Sequence, residues 1–387
     1  MKNPEINVAY TCEANFHPDY TNLFSVLSME ANAHSSEFNL DKILRKNIKK
    51  LKPYRCARDD YQDGLLLDAN ENLYGPPESL EEKSLPDLFT YPDPHQSALK
   101  KLYGEWRGVA PEQIFVGVGS DEAIDMVIRM VCVPGEDNIL ICPPTYGMYK
   151  VSAAVNDIGL VKVPLTDDSF QIQPKKMLEA LNEKTKIIWI CSPNNPTAND
   201  IEADKIKQVL ESKFNGLVIL DEAYVDFSPR YPNLVVLQTF SKSWGLAGVR
   251  CGVAISSPQV ISFMDRMKAP YNMNVLTSSV VVKNLKKKEE MLKTVEEIKN
   301  EKKKVVAELE KIPHVVKVFP SSANFLLFRV KSHSKEIYRA IAASGVVIRY
   351  RGDNHGCEEC LRATVAKPED TKLFLQKLKQ AITEVTK

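Results

Sequence analysis

The sequence predicts an α/β protein: a large, mostly parallel sheet followed by a smaller α+β unit. Three observations carry that prediction. From about residue 114 onward, short apolar runs alternate with amphipathic stretches. The runs are apolar throughout rather than at every second position, which is how strands covered on both faces read. Polar blocks of distinctive composition follow several of the runs. An open α/β sheet keeps its ligand site there, outside the carboxyl ends of its strands.

Taken in order, 114–118 (IFVGV) is a strand, and 123–131 a helix with Ile124, Val127, Ile128 and Val131 at helical spacing. A strand at 138–142, a helix from about 145, a strand at 160–163, a helix from about 174 and a strand at 186–190 come next. A helix near 202–212 leads into strands at 216–220, 234–240 and 251–255, after which 258–270 leave the sheet. The stretch 284–312 interleaves acids and bases and is read as a solvated connecting helix rather than a basic patch. Strands at 315–319, 323–330, 346–350 and 360–365, a helix near 335–344 and a terminal helix complete the smaller unit.

The chain has 387 residues, with 44% apolar and 26% charged, enough for two or three domains and a sizeable core. Lys+Arg number 51 against Asp+Glu 50. No net field favours nucleic acid or an anionic membrane, so the expected partner is a small molecule or a second copy of the chain. No apolar run is long enough to predict a membrane span. Residues 1–40 carry acids and no arginine, unlike a transit peptide, and are expected to be a disordered extension. Among the eight cysteines, Cys132, Cys142, Cys191 and Cys251 fall in or beside apolar patterns, where a free thiol packs as a small hydrophobe. Cys357 and Cys360 have the spacing of half a zinc site, but no second half-site is in view and no metal is expected.

The chemistry centres on Lys242, in TFSKSWGLAGVR, with DEAY at 221–224 upstream. A lysine that attacks a carbonyl and an acid facing a ring nitrogen are what pyridoxal phosphate (PLP) asks of its protein. GVGSDEA at 117–123 joins a strand to a helix, whose N-terminus with Ser120 and Asp121 forms an anion site. Thr239, Ser241 and Arg250 complete a coherent set for a dianionic phosphate. Asn195, in SPNNPT, and Tyr224 suit the phenolate oxygen of PLP, Asp221 its pyridine nitrogen and Tyr146 its ring face. Each block alone has a structural alternative, a rigid turn for SPNNPT and a core position for Tyr146. Several blocks at successive strand ends make the shared site the better reading.

From about residue 42 to the C-terminus the chain resembles the histidinol-phosphate aminotransferases, PLP enzymes of fold type I. The resemblance rests on PYRCARDD (53–60), LLLDANEN (65–72), YPDPHQ (91–96), GVGSDE (117–122), PPTYGMY (143–149), SPNNPT (192–197), DEAY (221–224), SKSWGLAGVR (241–250), KAPYN (268–272) and GCEECLRATV (356–365). It implies Lys242 as the Schiff-base lysine and proton carrier, Asp221 at the ring nitrogen, and Asn195 and Tyr224 at the phenolate. It also implies Ser120, Asp121, Thr239, Ser241 and Arg250 around the phosphate, and Tyr91 reaching the cofactor phosphate of the other subunit. Arg362 would take the carboxylate of glutamate and Arg349 the substrate phosphate, with Tyr74 and Asn324 lining the pocket.

The implied protein is a cytoplasmic homodimer with sites at the subunit interface and small-molecule substrates. Its parts are an extension at 1–40, an arm and part of the small domain at 41–90, a large PLP-binding domain at 91–275 and a small domain at 276–387. Alternatives are an aromatic aminotransferase or phospho-amino-acid decarboxylase of the same fold, or an impaired scaffold. Three departures bear on the last. Ala198 and Ala366 stand where the family usually has glycine, at turns that could need positive φ. The stretch 226–234 looks about two helical turns short. It is expected to keep the sheet while stretching the connection to the lysine loop.

Overall fold

The computed structural model describes residues 38–53, 88, 90–222 and 231–387. Tyr74, Tyr224, most of the N-terminal extension and most of the short stretch before residue 234 lie outside the described residues.

Seven strands form the large sheet: β1 (Ile114–Gly117), β2 (Asn138–Ile141), β3 (Gly159–Lys162), β4 (Thr185–Cys191), β5 (Leu217–Asp221), β6 (Leu234–Thr239) and β7 (Gly252–Ile255). Their order is β1-β7-β6-β5-β4-β2-β3. The β3–β2, β2–β4, β4–β5 and β5–β6 pairs are parallel, and β7 runs antiparallel between β6 and β1. The sheet is therefore mostly parallel, as predicted. Residues 222–233 link β5 to β6 with parallel pairing retained, Asp221 facing Leu237 in register. Uniformly apolar strands arise because successive residues feed opposite cores. Ile188, Ile190, Val218 and Leu220 enter one cluster, while Ile187, Trp189, Leu217 and Ile219 enter the other. Burying each such side chain contributes roughly 1.5–3 kcal/mol.

The smaller sheet comprises β8 (Val315–Val318), β9 (Phe325–Val330), β10 (Arg349–Tyr350) and β11 (Cys360–Thr364), in the antiparallel order β10-β11-β9-β8. One face, including Leu326, Phe328, Leu361 and Ala363, packs into a core shared with the helices Lys288–Glu310, Ser334–Ala343 and Pro368–Val385. The other face adds Leu327 and Cys360 to a core of the large sheet. The two units are thus joined through the face that also carries Arg362.

Boundaries differ from expectation in three places. The helix expected from about 145 starts at Met148. The charged stretch, expected from 284, is the helix Lys288–Glu310, preceded by a separate helix Val275–Leu285 that is capped by Asn274, whose side chain accepts from Thr277 N at 2.8 Å. The charged helix is not wholly solvated, since Met291, Val305 and Leu309 are buried. The strand expected at 346–350 shortens to Arg349–Tyr350, because β10 is an edge strand whose pairing with β11 covers those two residues.

Candidate active site

The phosphate-side residues converge through backbone geometry. β1 ends at Gly117 and the helix Gly119–Val131 starts two residues later, its first turn without a side-chain cap. Gly119 has φ +71°, and a Cβ there would lie 2.5 Å from Arg250 Nη2. A Cβ on Gly252 would lie 2.3 Å from Ser120 N. Only glycines let β7, the helix start and the arginine meet so closely. Arg250 itself has φ +54°, a strained conformation of the kind that gathers at functional sites, and its carbonyl accepts from Gly119 N at 3.1 Å. Its guanidinium donates to Asp121 Oδ2 at 3.2 Å and to Ser241 Oγ at 3.4 Å. Thr239 Oγ1 donates to Ser241 Oγ at 2.9 Å and accepts from Ser241 N at 3.1 Å. Ser120, Asp121, Thr239, Ser241 and Arg250 therefore form one group around the helix N-terminus, where backbone N–H groups and the helix dipole favour an anion.

Lys242 is exposed, on the loop after β6. Gly245 N donates to Lys242 O and Leu246 N to Phe240 O, each at 3.0 Å. Trp244 packs against Phe240 and, edge-on, against Trp106, with ring centroids 5.7 and 5.2 Å apart. Those aromatic contacts hold the loop while its lysine stays exposed.

Asp221 ends β5, 3% exposed. Tyr149 Oη donates to Asp221 Oδ2 at 2.5 Å, and the fully buried Tyr149 ring stacks on Trp189 at 4.5 Å. Tyr146 meets Tyr149 edge-on at 5.6 Å and donates to Asp121 Oδ1 at 3.2 Å. Burial, and next the Asp121 carboxylate, push the Tyr146 phenol well above its ordinary value of 10, so it remains a donor. Tyr146 thereby spans the distance from the acid at β5 to the anion site.

The turn after β4 brings in Asn195. Asn194 Nδ2 braces it, donating to Pro144 O at 2.8 Å and Thr197 Oγ1 at 2.6 Å. Ala198 follows with φ +67°, as the missing glycine led one to expect; Ala366 is not in the left-handed region. From the small sheet, Arg362 Nη1 donates to Asn195 Oδ1 at 2.5 Å while its guanidinium lies 4.9 Å over the Phe325 ring. Arg349 stands directly opposite Arg362 in the β10–β11 register and is exposed. Two like charges at a cross-strand pair are destabilising unless an anion lies between or beside them.

Asn324 is half-buried just before β9, its carbonyl accepting from Val365 N at 2.9 Å. Tyr91, 49% exposed, stacks on Tyr271 at 4.5 Å. Sequence reasoning missed Tyr149 and Arg351. Tyr149 lies in the same PPTYGMY block as Tyr146, and its helical spacing from Tyr146 was the available signal. Arg351 directly follows β10, its N donating to Cys360 O at 2.9 Å, with a buried Nε that has no hydrogen-bond partner. Cys357 and Cys360 are free and buried, and no metal-binding cluster occurs among the described residues.

These groups fit PLP. The glycine-lined junction at Gly119 and Gly252 offers donors to a phosphate, the buried Asp221 carboxylate offers an anion to a pyridinium, and Tyr146 offers an aromatic face between them.

Residues 62–378 match the family "Aminotransferase class I and II". The histidinol-phosphate aminotransferase of Cytophaga hutchinsonii is 44% identical over 88% of this chain and 99% of its own. That of Saccharomyces cerevisiae is 41% identical over 89% of this chain and 98% of its own. Among solved structures, the histidinol-phosphate aminotransferase of Sinorhizobium meliloti in complex with pyridoxal-5'-phosphate superposes with a TM-score of 0.70 at 21% identity, covering 92% of this chain and 100% of that one. At that identity the structural likeness speaks to fold type I alone; the sequence matches carry the family. The chain belongs to the class I and II aminotransferases, in the company of the histidinol-phosphate aminotransferases.

Proposed function

We propose that this chain is a PLP-dependent aminotransferase that exchanges an amino group between L-histidinol phosphate with 2-oxoglutarate and imidazole acetol phosphate with L-glutamate, in histidine biosynthesis. The observation that carries the reading is the Arg362–Asn195 contact. It brings Arg362 of the small sheet, with Arg349 opposite it, to Asn195 in the turn after β4, which supports a role for both in binding anions. Both substrates are amino compounds with an anionic group set back from the reacting carbon, a phosphate in one and a carboxylate in the other. Guanidinium groups suit both anions.

When bound, PLP supplies a carbonyl for the amino group and a ring that takes up the electrons released as the α-proton leaves. Lys242 would attach the cofactor and carry the proton to and from the substrate α-carbon. Asp221 would hold a proton at the ring nitrogen. An opposite charge close to a ring nitrogen favours its protonated form. Asn195 and Tyr224 would hold the phenolate oxygen, and Tyr146 the ring face. Ser120, Asp121, Thr239, Ser241 and Arg250 would hold the cofactor phosphate. Arg362 would orient the glutamate carboxylate and Arg349 the substrate phosphate, with Tyr74 and Asn324 at the pocket wall. One site serving two substrates in turn implies ping-pong kinetics.

The same proposal takes the protein as a cytoplasmic homodimer, with Tyr91 completing the partner's site. It takes 91–275 as the cofactor-binding domain, 276–387 with part of 41–90 as the small domain, and 1–40 as an extension. No helix among the described residues is long and apolar enough to cross a membrane.

The test is a half-reaction. L-Histidinol phosphate added to PLP-loaded protein should abolish the visible cofactor band, and 2-oxoglutarate should restore it. A band that responds to aromatic amino acids or glutamate but not to L-histidinol phosphate would overturn the substrate assignment.

A further inference from the structure

We infer that Tyr149 is a positioning residue for Asp221: its phenol O–H fixes the carboxylate and keeps it ionised, so that the proton between Asp221 and the cofactor ring stays on the ring nitrogen. The inference rests on the reading of the site as a PLP site and goes beyond it, to a residue whose contacts are with Asp221, Trp189 and Tyr146.

Tyr149 and Asp221 are both buried, and their contact is 2.5 Å, the length of a charge-assisted O–H···O bond. The ring cannot swing away. It lies nearly parallel to Trp189 on the adjacent β4, 4.5 Å between centroids and 17° between planes, while Tyr146 closes it edge-on at 5.6 Å. Burial, followed by the neighbouring Asp221 charge, pushes the Tyr149 phenol well above its ordinary value of 10, so the tyrosine is the donor. Cys191, β4's register partner of Asp221, is buried beside the pair and is held protonated by burial, so it adds no competing charge.

The consequence concerns one proton. A buried carboxylate facing a pyridine nitrogen can exist as the ion pair or as the neutral pair, with the proton on the ring or on the acid. Low-dielectric surroundings favour the neutral pair, because the charged form loses hydration. A short hydrogen bond to the carboxylate favours the ion pair. Tyr149 supplies that bond from the helix Met148–Val155. Without it the proton moves from the ring nitrogen to Asp221, both atoms keep their other bonds, and the ring withdraws electrons less strongly.

The experiment uses full-length protein loaded with PLP labelled with 15N in the ring, for the parent, Tyr149→Phe, Asp221→Asn and the double variant. Phenylalanine keeps the stack on Trp189 and removes only the donor. The expected result is PLP still retained by Tyr149→Phe, with the ring 15N resonance moved toward its unprotonated position. Turnover should fall by about ten- to hundredfold, the worth of one hydrogen bond to a charged group, with the amino-donor KM little changed. In the Asp221→Asn background, Tyr149→Phe should cost nothing further, a coupling that loss of packing would not produce. Should Tyr149→Phe not fold, 4-fluorophenylalanine at 149 fills the oxygen's place without a donor and must give the same resonance shift. PLP uptake with an unmoved resonance, or a full additional loss in the Asp221→Asn background, overturns the inference while leaving the PLP reading intact. A parent protein that takes up no PLP overturns both.

Discussion

Ala198 shows what a single residue's conformation reveals and what it does not. The SPNNPT turn brings its φ to +67°, a region that costs an L side chain about 1–2 kcal/mol. Its methyl is buried against Ala323 and Phe325, which returns roughly 0.8 kcal/mol. The two nearly cancel. Ala198→Gly should therefore leave unfolding free energy within about 1 kcal/mol of the parent, whereas the β-branched Ala198→Val should lose more than about 2 kcal/mol. Denaturant titration of the three proteins checks both, and a well-tolerated valine would show that the turn relaxes. The position was legible because a missing glycine after a rigid turn is a statement about φ. The Arg362–Asn195 contact was not, since no local pattern tells which arginine of one sheet reaches a turn 167 residues away in sequence. Arg349 has a sharper prediction. It is exposed, so its contribution is one solvent-accessible charge-assisted contact, about 1.5–3 kcal/mol when engaged. Arg349→Ala should lower kcat/KM for histidinol phosphate by about ten- to hundredfold and leave histidinol nearly untouched. Equal losses with both substrates would remove Arg349 from the phosphate contact.

At the scale of elements, the site depends on how the turn after β4 is docked by the small unit. Ser322 N donates to Ala198 O at 2.9 Å, and Ser322 Oγ bonds Asp200. Lys302, on the helix Lys288–Glu310, donates to Ser321 O at 2.6 Å and Ala323 O at 2.8 Å, which fixes the turn leading to Asn324 and Phe325. Burial, and then the Lys299 charge, lower the Lys302 ammonium from 10.5 to about 8. A depressed folded-state pKa makes the unfolded chain bind more protons between those values. The Lys302 contribution to stability is thus fully present above about 10.5 and is lost as pH falls through about 8. Unfolding free energies of the parent and of Lys302→Met, measured at pH 7, 8.5 and 10, should therefore diverge in the parent's favour as pH rises; a constant difference would refute it. The strands of the large sheet were legible because both faces are buried, making each an uninterrupted apolar run. β10 read too long because an apolar run marks burial, whereas strand length is set by the partner's register. The interleaved charges of the long helix concealed its buried stripe, including Met291, Val305 and Leu309, because lysine and glutamate dominate the other positions.

For the whole molecule, the arrangement of two sheets explains why the polar blocks read from the sequence meet at one place. β1, β4, β5 and β6 each end at a block of the site, and the small sheet closes over the β4 turn through Arg362. Tyr91 is the exception. It lies before the first strand, half exposed and stacked on Tyr271, and belongs to none of the blocks at the strand ends. The proposal has it complete the site of a second copy of the chain. If it does, two kinds of dead chain can rescue each other. Lys242→Ala lacks the proton carrier in its own site but still offers an intact Tyr91. A Tyr91 variant inactive as a homodimer has an intact Lys242. In a mixed dimer, one site receives both defects and the other receives neither. With random exchange, about half of the dimers are mixed and each has one good site, so activity should recover to about a quarter of the parent's per chain. Fluorescence transfer between labelled chains verifies the exchange before activity is measured. Full exchange with no recovery would show that Tyr91 serves its own chain, and would remove the main support for a site shared between subunits.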